Sequence, residues 1–191
     1  MDFLEQQVET SKVAQVCGVT PNVLHGYLKR GLIVGHSDTG VVTGGGKRGV
    51  RKQFSIFNVM EVAIARELID AGVGGGDPVA AFKAALHFAH GGSGGSGWIG
   101  DAKPLTVHRL PGLPFPPSYG LTILAVGNGN ARTFALPAEG ITAFAFHARL
   151  RHALQTSAFT IIDATSVFQR ISTRLGFEPG QVLREAYGRN N

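Results

Sequence analysis

The sequence predicts an α+β protein with a mostly helical N-terminal part and a small C-terminal α/β module. Residues 10–33 have the pattern of two short helices joined at a glycine. Residues 41–53 have the pattern of a glycine-rich β-hairpin, and residues 119–191 alternate between strand and helix patterns. Periodicity that changes between these segments favours helices and strands in separate regions of the chain.

The helix pair is predicted from residues 10–33, TSKVAQVCGVTPNVLHGYLKRGLI. Small and apolar residues fall where two crossing helices require them, and Gly18 supplies the tight turn between them. Thr20 is an N-cap, and Pro21 follows at the first helical position, where its missing N–H is not needed. Gly31 is expected to end the second helix. The predicted inner positions are Val13, Ala14, Cys17, Leu24 and Tyr27 or Leu28.

A β-hairpin with a basic tip is predicted next. The β-branched patches 41–43 and 49–50 flank Gly44-Gly45-Gly46-Lys47-Arg48, a pattern typical of two strands and a turn. Together with the helix pair, this hairpin predicts a winged helix-turn-helix, in which the wing lies on a DNA backbone or in the minor groove. The alternative is a glycine-rich loop without regular structure.

Two longer helices complete the N-terminal part. Ser55 is a predicted N-cap for a helix through about Ala71, with an apolar stripe at residues 57, 60, 64 and 68. Another helix is predicted through about His90, with Asp77 as its cap and Pro78 at its first position. Its predicted inner face is Val79, Phe82 and Leu86.

In this order and spacing, residues 10–90 resemble the winged-helix DNA-binding domain of the MerR family of transcriptional regulators. Residues 29–33, KRGLI, resemble the family's basic-Gly-Leu-Ile ending of the helix pair, and Phe54-Ser55 resemble its aromatic-Ser pair. Residues 67–73 resemble the segment in which the third helix ends. The resemblance implies a sequence-specific regulator of transcription that binds double-stranded DNA as a homodimer. Where the family has Arg-Tyr-Tyr-Glu, this chain has His25-Gly26-Tyr27-Leu28.

Charge is concentrated in the same region. Residues 10–53 contain seven Lys or Arg residues and a single acidic residue, Asp38, while the chain as a whole has 18 Lys or Arg and 13 Asp or Glu. Phosphate neutralisation drives most non-specific DNA affinity, so this asymmetry favours a nucleic-acid partner. A solvated basic surface or an anionic membrane patch are the alternatives.

Ten residues are the predicted DNA contacts, with residues 20–30 as the recognition helix in the major groove and residues 41–53 as the wing. Asn22 and His25 are expected to reach base edges, since Asn suits adenine. Tyr27 takes a phosphate contact by its position in the resemblance. The remaining predicted phosphate and wing contacts are Thr20, Lys29, Arg30, Lys47, Arg48, Arg51 and Lys52.

The expected domain organisation is a DNA-binding domain at 1–90, a Gly/Ser- and Pro-rich linker at 91–118 and an oligomerisation or effector module at 119–191. GGSGGSG at 91–97 has the composition of a flexible linker, and PGLPFPP at 111–117 favours extended structure. In the last module a strand at 119–126, a turn at 127–130 and a strand at 132–136 are predicted. Residues 141–155 fit strand and helix alike, and a strand at 159–162 precedes a helix capped by Asp163. A turn at Pro179-Gly180 and a final helix through about Tyr187 end the chain.

Enzymatic activity is not expected. No Ser-His-Asp order, nucleophile elbow or phosphate loop is present in the sequence. His87 and His90 have a metal-compatible spacing, but without HExxH or cysteine pairs neither a metal nor another cofactor is expected. A single cysteine, a non-apolar N-terminus and no run of 18 apolar residues lead us to expect a cytoplasmic, nucleoid-associated protein with no membrane partner.

Two alternative functions fit the same residues. An excisionase-like or architectural factor of mobile DNA would share the winged domain, and a protein-interaction adaptor that does not bind DNA would use the proline-rich run for docking. The sequence leaves open the identity of any small-molecule or protein effector.

Overall fold

The structure is a computed structural model that describes residues 3–34, 52–91, 96–98, 108–137 and 141–188. These residues form helices and two small sheets, so the α+β prediction is confirmed. The N-terminal elements are β1 (Gln7–Glu9), α1 (Thr10–Cys17), α2 (Pro21–Lys29), β2 (Gln53–Ser55), α3 (Ile56–Asp70) and α4 (Val79–Ala89). The later elements are β3 (Ser96–Trp98), a 3₁₀ turn (Pro117–Tyr119), β4 (Leu121–Gly127), β5 (Asn130–Leu136), α5 (Ala143–Leu154), β6 (Thr160–Asp163), α6 (Ala164–Leu175) and α7 (Pro179–Gly188).

A four-stranded sheet in the order β3-β5-β4-β6 organises the C-terminal part. β3 lies parallel to β5, and the other neighbours are antiparallel. The predicted turn between β4 and β5 is confirmed, since Asn128 and Gly129 have φ values of 49° and 71°, as a two-residue hairpin turn of this kind requires. Residues 141–155, ambiguous in sequence, form the helix α5, with Thr142 accepting a hydrogen bond from the Ala145 N–H.

The sheet is covered on both faces. Leu124, Val126 and Ile162 face the side where α3, α4 and α6 pack, in one buried cluster that also contains the interior of the N-terminal part. On the other face, side chains from β4 and β5 meet Leu150 and Leu154 of α5 in a smaller cluster. Because β4 is buried on both faces, its residues 123–126 are continuously apolar rather than alternating.

The prediction for the inner face of α4 is partly wrong. Phe82 is buried as expected, but Leu86 is 42% exposed and Val79 is only half-buried. The buried face consists of Ala81, Phe82, Ala84, Ala85, Phe88 and Ala89. Four alanines let α4 approach its neighbours closely, and this close packing outweighs the pattern set by the larger residues.

Residues 108–118, predicted by composition to be linker, contribute to the interior. The Arg109 guanidinium is 1% exposed and lies 4.7 Å from the centre of the Phe88 ring. It donates hydrogen bonds to carbonyls around the end of α4, those of His87, Phe88, Leu110, Leu113 and Gly91. These include carbonyls that the helix end leaves without an intrahelical partner. Burial lowers the pKa of Arg109 to about 10, so the side chain still carries its charge at neutral pH.

Helix α6 connects the two parts of the chain. Arg170 forms an ion pair with Glu67 of α3 at 2.5 Å, and Arg174 donates to the Val16 carbonyl near the end of α1 at 2.7 Å. The Phe3 ring packs edge-on against Phe168, with 5.7 Å between centroids. The domain boundaries at residues 90 and 119 stay a prediction. In the folded chain, the parts on either side of them share a core.

Candidate nucleic-acid interface

The helix pair at residues 10–29 is confirmed with the predicted turn. Gly18 has φ 68°, in the left-handed region that favours glycine, and its N–H meets the carbonyls of Ala14 and Gln15. The next amide, Val19 N–H, donates to the Ala14 carbonyl at 3.0 Å and folds the chain back. The predicted inner residues Val13, Ala14, Cys17, Leu24 and Leu28 are buried.

The outer side of α2 carries a stripe of exposed polar side chains, Asn22, His25 and Lys29. Their spacing of three and four residues places them on one face of the helix, opposite the buried Leu24 and Leu28. We call these three residues the α2 stripe. The two predicted base contacts and one predicted phosphate contact are therefore brought together on one surface.

The other predicted contacts on this helix have partners within the protein. The Thr20 hydroxyl accepts from the Val23 N–H at 3.3 Å, as predicted for an N-cap. The Tyr27 ring is half-buried and packs edge-on against Phe82 of α4, with centroids 4.8 Å apart, and burial raises the pKa of Tyr27. It lies on the inner side of α2, away from the α2 stripe.

Arg30, at the end of α2, is held by an acidic residue that sequence reasoning treated only as a helix cap. Its guanidinium lies 2.7 Å from an Asp77 carboxylate oxygen, which also accepts from the Val79 N–H at 3.3 Å. The Arg30 hydrogen bond is the main cause of the lowered pKa of Asp77. Both side chains are about half exposed, so the pair links α2 to α4 at the protein surface.

The predicted wing falls largely outside the described residues, including Lys47, Arg48 and Arg51. The structure does describe where the chain leaves and re-enters this segment. Val34, on the entry side, is held at its N–H by Glu61 and at its carbonyl by Asn58, both from α3. On the return side the half-buried Lys52 accepts a bond from the Thr10 hydroxyl at its carbonyl, and β2 then pairs antiparallel with β1.

Glu61 is a buried site residue that sequence reasoning missed. Its side chain is fully buried, and besides the Val34 N–H it meets His90 Nε2 at 3.0 Å. The signal was present in the sequence, because Glu61 lies four residues after Phe57 and next to Met60, on the core side of the helical pattern. A carboxylate at such a position requires polar partners, which Val34 and His90 provide.

Within the described ranges, the structure shows no group of three or more His, Cys, Asp or Glu residues placed to hold a metal. His87 and His90 do not converge: His90 faces Glu61, while His87 lines a separate cavity. Cys17 is buried and burial raises its pKa to about 12, so its thiol stays protonated.

Comparison with known proteins identifies no family for the chain. A scan against protein-family models gave no match, and a search of curated proteins gave none either. Among the helices that the structure describes, none combines the length and the apolar character that crossing a bilayer requires.

Proposed function

We propose that this protein is a sequence-specific regulator of transcription that binds double-stranded DNA through a winged helix-turn-helix. The observation that carries the proposal is the α2 stripe. An amide, an imidazole and an ammonium stand side by side on the exposed face of the second helix of a pair, the helix that enters the major groove in helix-turn-helix proteins.

The chemistry of these residues suits the task. Asn can bond an adenine edge at two positions, His25 offers a ring nitrogen to a base, and Lys29 neutralises a phosphate. α2 rests on the rest of the fold through Leu24, Leu28 and Tyr27, so its outer face is presented on a fixed support. The basic residues at 47, 48, 51 and 52 would extend the contact along the backbone or into the minor groove.

Two copies are expected on each site, since one such domain covers a short half-site and a symmetric pair multiplies affinity. The protein would act in the cytoplasm at the nucleoid. Residues 119–191, joined to the helix pair through α6, would serve oligomerisation or respond to an effector.

The test is a titration of the full chain against duplexes selected from a random pool, repeated over a range of salt concentrations. We expect affinity to fall with salt, and Lys29→Gln to weaken binding to all sequences and reduce the salt slope by about 1. Asn22→Ala is expected to cost about 1 to 3 kcal/mol and to relax the preference at one base pair.

Arg149→Gln on α5 is the matched control, since it removes an exposed positive charge far from α2 in sequence. Binding that ignores salt, or an equal loss from Lys29→Gln and Arg149→Gln, would contradict the proposal. The wing is tested by Arg48→Ala with Arg51→Ala, and unaltered affinity and salt dependence would reject its role. Mapping bound DNA across the genome distinguishes promoters from attachment sites, where a recombination factor would bind.

A further inference from the structure

A cavity of about 1000 Å³ lies between α4 and the hairpin that joins β4 to β5. One wall is the side of α4 that carries Lys83, Leu86 and His87, and the opposite wall is formed by residues 126–131 and 158–160. Its volume is at the upper end of the range for small-molecule sites in proteins.

The cavity presents apolar surface that the fold itself does not cover. Leu86 is 42% exposed on α4, and Phe159 lies half-buried in the opposite wall. Large apolar side chains facing a common concave space gain free energy when an apolar body displaces water from them.

Lys83 and His87 of α4 determine the charge of this wall of the cavity. Lys83 is exposed at the cavity and has no ion pair within the described part of the chain. His87 Nε2 is buried and, among the described residues, has no hydrogen-bond partner. Burial, followed by the charges of Arg109 and Arg132, lowers the pKa of His87, so at neutral pH its ring adds no charge to the cavity wall.

Asp77, an acidic residue in the cavity wall, does not neutralise the charge of Lys83. The Asp77 carboxylate is engaged by Arg30 and by the Val79 N–H. As far as the described residues go, Lys83 is therefore an uncompensated positive charge beside apolar walls, and such a site favours an anion.

We propose that this cavity binds a small anionic molecule with an aromatic or similarly flat apolar body. Its acidic group pairs with Lys83, and its body contacts Leu86 and Phe159. Binding of such a molecule to the cavity does not depend on whether the protein binds DNA. Its use as an effector site rests on the proposed function, since Asp77 joins the cavity wall to Arg30 at the end of α2.

The test uses two fluorescent probes with similar bodies, 8-anilinonaphthalene-1-sulfonate, an anion, and the uncharged N-phenyl-1-naphthylamine. Titrated into the full chain, the sulfonate is expected to bind saturably at one site per chain. Lys83→Gln is expected to weaken sulfonate binding about tenfold, as loss of a charge-assisted contact does. Lys83→Arg should keep most of the affinity, and Lys83→Gln should leave the uncharged probe unaffected.

Filling the cavity gives a second measurement. Ala158→Trp and Ala80→Trp each place a large ring at an exposed position on one wall, so at least one is expected to fold and abolish binding of both probes. Folding is checked by circular dichroism and the urea midpoint, because loosely packed states also bind the sulfonate. Phe144→Ala is the control, since Phe144 on α5 is 83% exposed, more than any other large apolar side chain among the described residues.

The proposal is overturned if no saturable binding occurs, if a folded tryptophan variant binds as the parent chain does, or if Phe144→Ala abolishes binding. It is also overturned if Lys83→Gln affects both probes equally. Since DNA is absent from these titrations, their failure is distinct from a failure of the proposed function.

Discussion

Gly26 lies in the middle of α2, beside the residues of the α2 stripe. A glycine there lowers helix stability by about 0.5 to 1 kcal/mol relative to alanine. The fold gives no reason for this loss, because a Cβ at Gly26 would meet no heavy atom within 4 Å among the described residues. We infer that the missing side chain allows a DNA surface to approach the helix closely.

Gly26→Ala is therefore expected to stabilise the protein and to weaken duplex binding. The free energy of unfolding should rise by about 0.5 to 1 kcal/mol in urea titrations. Affinity for the selected duplex should fall about tenfold, since a methyl group would hold the helix away from the groove. Gly188→Ala at the end of α7 is the control, because a Cβ there also meets nothing. Equal affinity of Gly26→Ala and the parent chain would show that DNA does not contact this position.

Residues with local signals were predictable from sequence, and residues held by distant partners were not. The αL turn at Gly18, the N-cap at Thr20 and the cap at Asp163 follow from neighbours within a few positions, and all three are confirmed. Arg109 gave no signal, since its acceptors are brought together by the fold. The ion pair of Arg30 with Asp77 joins residues 47 positions apart and was likewise invisible.

At the scale of elements, that ion pair connects the end of α2 to the start of α4. The sequence predicts that the same Arg30 side chain contacts a phosphate, so its acidic partner would compete with DNA for it. Glu61 and Asn58 of α3 also join two elements. They bind the N–H and the carbonyl of Val34, where the chain leaves for residues 35–51. The bounds of these elements were predictable, but the contacts between them depend on how the helices pack.

Asp77→Asn is expected to strengthen duplex binding about threefold, since it releases Arg30 from an exposed and therefore weak ion pair. Asparagine can still cap α4 at the Val79 N–H, so the helix start is retained. The double variant with Arg30→Gln should show no gain. Glu178→Gln is the control, because Glu178 is an exposed acid that accepts backbone bonds at the start of α7 and makes the same change in net charge. A similar gain from Glu178→Gln would mean that only net charge matters.

At the scale of the molecule, the two parts predicted as separate domains form one buried cluster. The second part was recognisable as strands and helices from periodicity, but nothing in the sequence indicated which of its faces meets the helix pair. Phe168 shows the consequence. It is fully buried on α6 and touches Phe3, near the opposite end of the chain.

Phe168→Ala is expected to lower the free energy of unfolding by about 3 to 5 kcal/mol, the usual effect of truncating a buried phenylalanine. Because α6 packs on α1, the loss should also expose Cys17, whose buried thiol is otherwise protonated and inaccessible. Alkylation of Cys17 at pH 8 measures this, and its rate should rise at least about a hundredfold. Phe144→Ala makes the same chemical change at an 83% exposed side chain and should alter neither quantity. An unchanged alkylation rate in Phe168→Ala would show that the helix pair is stable without α6.

The bond from Arg174 to the Val16 carbonyl joins residues 158 positions apart. During synthesis, α1 leaves the ribosome well before its partner in α6 has been made. The helix pair thus acquires this support only after α6 has been synthesised, and a chain cut short before α6 lacks it. For a protein that we propose to bind DNA, this order of assembly reserves the fully supported binding surface for chains completed through α6.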